Sequence, residues 1–310
     1  MSSTAASDWS ATRERSNLFA LRLMAWIAVH LGRPVARLIL HPITLYFLCF
    51  APQARRQSGR YLARVLGRAP TLRDRYRHFH HFAAVVLDRI WFVTERMEVF
   101  DLPMTGHELV DATLAEGRGA FLLGAHIGSF EALHAIGDTL QGLNVAMVMY
   151  PDNAQKIHTV LKAIAPGFKL GIIPIGRSDS TLQIRDWLDA GGLVGLMGDR
   201  YLPTEQAREA GTVELPFLGV PTHFTDGPLR LAMLLKRRVI FMVGLYRGGH
   251  SYDVRFDVLA DFSKPPRAPA EREALVHAAL ADYVRRLEAL CREAPYNWFN
   301  FYDYWHEDAA

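Results

Sequence analysis

Cysteine is almost absent from this chain: Cys49 and Cys291 are the two in 310 residues. Two cysteines cannot build a Cys-based metal cluster, offer no disulfide framework, and suit a reducing compartment. Lysine is missing until Lys156, so the fifteen cations of residues 1–100 are all arginine, set against only six acids. Residues 101–310 reverse the balance, and the net charge of +3 averages a basic first third with an acidic remainder. Long apolar runs are lacking too. The longest charge-free stretch, Leu38 to Ala54, contains His41, Pro42 and Gln53, short of the ~20 apolar residues a helix needs to cross a bilayer. Met1 to Ser16 is polar, carries both charge signs, and lacks the pattern of a secretory signal.

Half of the residues are hydrophobic, which excludes a disordered chain and leaves enough apolar side chain for a large core. The basic first third can meet phosphate on nucleic acid or on lipid. No RNP, helix-turn-helix or zinc-finger pattern is present, and the segment is too apolar for a groove that tracks a phosphate backbone. Two apolar helices are predicted, over Leu18–Leu31 and Leu38–Ala54, studded with Arg13, Arg15, Arg22, Arg33, Arg37, Arg55, Arg56 and Arg60. With Trp26, Tyr46, Phe47 and Phe50 near their ends, they suit a segment lying in a membrane interface with arginine heads at the phosphate level. Residues 1–100 are therefore expected to form a helical, membrane-associating region, and 101–310 a second domain.

Residues 72–98 carry apolar side chains at steps of three and four and predict an amphipathic helix. His78, His80 and His81 lie on it, but adjacent helical positions point apart and no acid cluster completes a metal site. After Asp101 short apolar runs alternate with helical stretches. Strands are predicted at Gly119–Ala125, Asn144–Tyr150, Leu170–Ile175 and Leu193–Gly198, with helices near 130–141, 154–164 and 180–190. This spacing implies an α/β fold with a mostly parallel central sheet flanked by helices. Pro216 to Phe224 reads as a loop, Pro228 as the start of a helix, and Arg238–Leu259 as a hairpin. A charged amphipathic helix over 269–293 precedes an aromatic tail, Tyr296 to Trp305.

The chemistry concentrates in Gly124-Ala125-His126-Ile127-Gly128-Ser129-Phe130-Glu131, where a strand ends and a helix is expected to begin. Open α/β sheets place ligands at the carboxyl ends of their strands. A histidine there can act as a general base, and a carboxylate in the following turn can fix its tautomer and stabilise its imidazolium. Gly128 allows the tight turn between them. Gly249-His250-Ser251-Tyr252-Asp253 is a near miss for a nucleophile elbow: it lacks the last glycine and joins two strands. No dinucleotide fingerprint is present.

The 124–131 block resembles the first motif of the glycerolipid acyltransferase superfamily, histidine, four residues, then an acid, and in its glutamate form the lipid A biosynthesis acyltransferase branch. Leu193 to Arg200, a strand ending in Asp199-Arg200, is similar to that branch, as are the Leu215-Pro216-Phe217-Leu218-Gly219 loop and Arg177 ahead of the Asp-Arg strand. The aromatic tail resembles a subgroup of predicted acyltransferases, some linked to polyene-type lipids. Ser129-Phe130 stands where the branch often has Asn-Trp, and Leu218 replaces a common Phe.

The resemblance implies an acyltransferase with His126 as base and Glu131 as its orienting acid. It further implies Gly128, Ser129, Arg177, Asp199, Arg200, Pro216 and Phe217 as substrate-binding residues, with Arg200 or Arg177 on phosphate and Pro216 to Gly219 along the acyl chain. The donor would be a thioester of acyl carrier protein or coenzyme A, with no metal and no cofactor. The acceptor would be a membrane lipid or glycolipid, at the cytoplasmic face of a bacterial inner membrane. Two other classes remain: a non-catalytic lipid-binding protein on the same fold, and a serine hydrolase using Ser251.

Overall fold

A computed structural model describes residues 18–94, 96–133, 144–149, 171–200 and 212–306. The expected helix near 154–164, and most of that near 130–141, fall outside the described residues; within them Glu131–Leu133 is a short 3-10 turn.

The described strands are β1 (Met104–Thr105), β2 (Ala120–Gly124), β3 (Val145–Met149), β4 (Gly171–Pro174), β5 (Leu193–Met197), β6 (Thr212–Phe217), β7 (Val220–Thr225), β8 (Arg238–Gly248) and β9 (Ser251–Asp261). The helices are α1 (Leu18–Phe50), α2 (Pro52–Leu66), α3 (Leu72–Val93), α4 (His107–Ala115), α5 (Ser180–Asp189), α6 (Gly227–Leu234) and α7 (Pro269–Glu293). Seven strands form one mixed sheet in the order β1-β9-β8-β2-β5-β3-β4. Neighbours run parallel except in the β8–β9 hairpin. The four strands predicted between 119 and 198 are all present and mutually parallel.

β2 lies inside the sheet and is buried along its whole length. Side chains alternate between faces along a strand. Phe121 and Leu123 join the core built with α2, α5 and α7, while Ala120 and Leu122 join the core built with α1 and α3. A strand covered on both faces reads as one continuous apolar run. The core beneath α1 and α3 thus continues from Ala28, Ala36 and Leu40 to Ile240 and Met242 of the sheet.

The expected pair of N-terminal helices is present, divided at Gly32, and the second of them ends at Phe50, before a sharp bend. Gly32, at φ 81° and ψ 170°, breaks α1 just before Pro34, and the helix from His30 to Phe50 meets α2 at 94°. Ala36, Leu40, Thr44 and Leu48 are buried at steps of four, a stripe too narrow to cover the apolar surface of α1. Leu31, Val35, Leu38, Leu45, Tyr46 and Phe50 remain exposed. Among the described residues no single helix is long and apolar enough to cross a membrane.

Several arginines expected at a phosphate level point inward. Arg33 donates to both oxygens of Asp88 at 2.8 and 2.9 Å and to the carbonyl of Gly249. Arg37 reaches Asp88 and the hydroxyl of Tyr246. Arg55 donates to the carbonyls of Leu48 and Cys49, and Arg60 to Asp303. Asp88 is fully buried, so it requires the cations that face it. Arg13 and Arg15 lie outside the described residues.

The stretch read as a loop, Pro216 to Phe224, is the end of β6, the turn and most of β7 in one hairpin. Leu218 and Gly219 sit at φ 51° and 81°, the positive-φ pair that a two-residue hairpin turn requires. A leucine pays for that conformation, and the backbone N–H of Leu218 is held by Glu288 of α7 at 2.7 Å.

Candidate active site

Two registers build the site. Gly124 of β2 is paired with Met197 of β5, and the N–H of Gly198 donates to the carbonyl of Gly124. His126 and Asp199 each follow two residues beyond those strand ends, at the carboxyl edge of the parallel sheet. There the Nδ1–H of His126 donates to Asp199 Oδ1 at 2.7 Å, and the backbone N–H of His126 donates to the same oxygen at 3.1 Å. The carboxylate fixes the tautomer, which leaves Nε2 as the basic nitrogen. The His126 side chain keeps 31 % of its surface exposed while that of Asp199 keeps none.

The carboxylate bonded to His126 is Asp199, and the expected pairing of His126 with Glu131 is not the one formed. Glu131 forms an ion pair with Arg89 of α3 at 2.9 Å and accepts from Ser129 Oγ at 3.1 Å. The reason lies in the turn. Gly128, at φ 62°, brings the chain against β8 so tightly that a Cβ would lie 2.0 Å from the carbonyl oxygen of Gly244. The N–H of Ser129 donates to that same oxygen. The chain after His126 is drawn against β8, and Glu131 faces Arg89 of α3 instead of His126.

Burial lowers the pKa of His126, Arg200 lowers it further, and Asp199 opposes both. The imidazole is neutral and able to accept a proton at neutral pH. Burial alone would raise Asp199, but His126, Arg200 and Asn300 outweigh it and hold the carboxyl well below the usual range. Trp298 Nε1 and Asn300 Nδ2 each donate to Asp199 Oδ2 at 3.0 Å, and the Tyr304 hydroxyl donates to the Asp199 carbonyl. The sequence marks this tail only as dense in aromatics. Nothing in its spacing ties it to a carboxylate about a hundred residues earlier, although two asparagines among aromatic neighbours are the kind of buried polar group that needs a partner.

Arg200 is positioned by Asn300 Oδ1 at 2.6 Å and the Phe299 carbonyl, with its guanidinium over the ring of Tyr302. Arg177 follows β4, three strands from β2, roughly 14 Å away at ordinary strand spacing. It shares the carboxyl edge, is exposed, and pairs with Asp179. Gly128 and Ser129 are buried. Phe217 is fully buried against Phe224, Trp298 and Tyr304, so it backs the site rather than lining an open slot. Pro216 instead lines a shallow groove with Leu215, Ala281 and Val284. Ser251 donates to Asp101 at 3.2 Å in the exposed β8–β9 hairpin, with no histidine base bonded to it among the described residues.

One group of described residues has metal-ligand spacing: Asp226, Glu273 and His277. Arg230 already pairs with both carboxylates, Asp226 just ahead of α6 and Glu273 on α7. The histidines of α3 are packed. His78 donates through Nε2 to the Trp298 carbonyl and accepts from Ser58, His80 stacks on His41, and His81 meets Tyr246 and Tyr296 edge-on.

A base, its buried carboxylate and a nearby arginine at a strand edge can deprotonate a hydroxyl and stabilise developing negative charge. The family model described as bacterial lipid A biosynthesis acyltransferase matches residues 8–307. The chain belongs to that family. It is an α/β acyltransferase of the lipid A biosynthesis type, and the match runs through the N-terminal helices, the sheet and the aromatic tail alike. No curated protein matches the chain.

Proposed function

We propose that this acyltransferase moves a fatty or polyene acyl group from a thioester of acyl carrier protein or coenzyme A to a hydroxyl of a membrane lipid or glycolipid. His126 Nε2 accepts the hydroxyl proton as the oxygen attacks the thioester carbonyl. The new C–O bond forms, the C–S bond breaks, and the proton passes to the departing thiolate. The activated donor makes a covalent acyl-enzyme unnecessary, since holding the two substrates together supplies much of the rate. The observation that carries this reading is the His126–Asp199 pair at the ends of neighbouring strands, within a chain matched almost throughout by the family.

Arg200 stands beside His126 in the role of an oxyanion or phosphate partner. Arg177 suits a more distant anionic part of a long substrate on the same edge. Glu131, held by Arg89 and Ser129, sets the wall of the acceptor side. No metal takes part in this scheme.

We also propose that the protein docks on the cytoplasmic face of a bacterial inner membrane. Support comes from α1, whose exposed Leu31, Val35, Leu38, Tyr46 and Phe50 present apolar and interfacial side chains to solvent.

The test is transfer of a labelled acyl group from acyl carrier protein or coenzyme A to extracted bacterial lipids, with products identified by mass spectrometry. Wild type is expected to consume thioester and label lipid, and His126→Ala to do neither while still folded. Lipid binding without thioester consumption would favour a non-catalytic binding protein instead.

A further inference from the structure

The aromatic tail reaches Asp199 through Trp298, Asn300 and Tyr304, and Trp298 is the most tightly packed of them. Trp298 is fully buried, and its ring meets Tyr61 of α2 at 4.9 Å, Phe217 of the β6–β7 hairpin at 5.3 Å and Tyr304 at 4.7 Å. Its carbonyl accepts from His78 of α3 at 2.8 Å. The tail also runs beside the base itself: the N–H of Phe299 donates to the His126 carbonyl at 2.7 Å, and that of Gly128 to the Asn297 carbonyl at 2.9 Å. Trp298 is thus fixed from three sides before it donates to Asp199.

The two carboxylate oxygens of Asp199 accept from four donors. Oδ1 takes the backbone N–H and Nδ1–H of His126, while Oδ2 takes Trp298 and Asn300. Rotation of the carboxylate would break both bonds at Oδ2. Asn300 also holds Arg200, so its loss would disturb two charged groups. The indole of Trp298 bonds Asp199 alone.

We propose that Trp298 is a positioning residue of the site, whose indole N–H holds Asp199 Oδ2 so that Oδ1 faces His126. A donor on Oδ2 draws charge away from the oxygen that faces the imidazole. Without it the carboxylate is more basic, stabilises imidazolium more strongly, and His126 titrates at a higher pH. The carboxylate also gains freedom to turn, and the base is oriented for a smaller fraction of the time.

The test uses the full chain and two variants: Trp298→Phe, and replacement of Trp298 by β-(3-benzothienyl)alanine, which keeps the bicyclic shape and lacks the N–H. Histidine titration by 15N NMR, with His126→Gln to assign the signal, is expected to show His126 moving up by roughly half a pH unit in both variants. The kcat of acyl transfer is expected to fall about tenfold, with the KM for thioester within about twofold, and the acid limb of the rate profile to move up with the titration. If Trp298→Phe does not fold, the isosteric variant decides alone. A His126 titration unchanged from wild type in the isosteric variant would overturn the proposal, whatever happens to melting temperature. The kinetic part rests on the acyl-transfer reading, and the NMR part does not. Wild type without thioester-dependent transfer but with the titration shift intact would sink that reading and leave the positioning role standing.

Discussion

His126 and Asp199 stand in register, each two residues past the end of one of two neighbouring parallel strands, and their side chains meet at 2.7 Å. The relationship makes Asp199, rather than Glu131, the acid that most affects the base. Asp199→Asn is expected to lower kcat by about a hundredfold or more, because an amide cannot stabilise imidazolium. Glu131→Gln removes the charge that pairs with Arg89 but keeps a polar partner for Ser129, and it is expected to act mainly on the KM of the acceptor. Steady-state kinetics with varied lipid acceptor separates the two, and a larger kcat loss in Glu131→Gln would return the orienting role to Glu131.

The rate profile carries a sign as well. Burial and Arg200 push His126 below its ordinary 6.5, so the base remains neutral as pH falls through that value. The acid limb of kcat/KM is expected below pH 6.5. A limb at or above 7 would mean that imidazolium is favoured in the free protein.

Stability has a separate histidine-dependent window. Burial lowers His78 from 6.5 to about 4. Between those values the unfolded chain takes up a proton that the folded chain refuses, so stability is full above 6.5 and falls as pH drops towards 4. His80 and His81 are lowered in the same direction. The loss from His78 alone is on the order of a few kcal/mol. Chemical denaturation at pH 7 and pH 5 measures it, and equal midpoints would show that His78 protonates without cost.

Gly128 is expected to tolerate no side chain. Its φ of 62° and the 2.0 Å approach of a Cβ to the Gly244 carbonyl oppose any substitution. Gly128→Ala should lower stability by at least about 2 kcal/mol and shift the turn that carries His126. A melting temperature equal to wild type would contradict the close approach.

Asp88 ties α1 to the sheet through Arg33, Arg37 and the Tyr252 hydroxyl. Removing the one acid facing two largely buried cations costs roughly 3–5 kcal/mol. Asp88→Ala is expected to loosen α1 and expose it to limited proteolysis. The membrane reading is tested beside it: Leu38→Glu with Phe50→Glu, on exposed positions, should reduce co-sedimentation with anionic vesicles while leaving the fold unchanged.

The elements legible along the chain follow from local physics. Apolar runs bounded by turn residues gave four parallel strands, because a strand buried on both faces must be apolar throughout. Steps of three and four gave α3 and α7 for the corresponding reason. Glycine and an acid near His126 marked the block that carries the chemistry. Tertiary structure decided the partners. Asp199 reaches His126 only because β5 lies beside β2 in the sheet, an order that no local pattern encodes. Trp298 and Asn300 reach Asp199 because the tail folds back across the strand ends. The arginines of α1 looked like a lipid-facing row, yet Arg33 and Arg37 turn inward because Asp88, fifty residues on, is buried where only cations can satisfy it. Hydrophobic period is written along the chain, but the pairing of buried charges depends on which elements become neighbours.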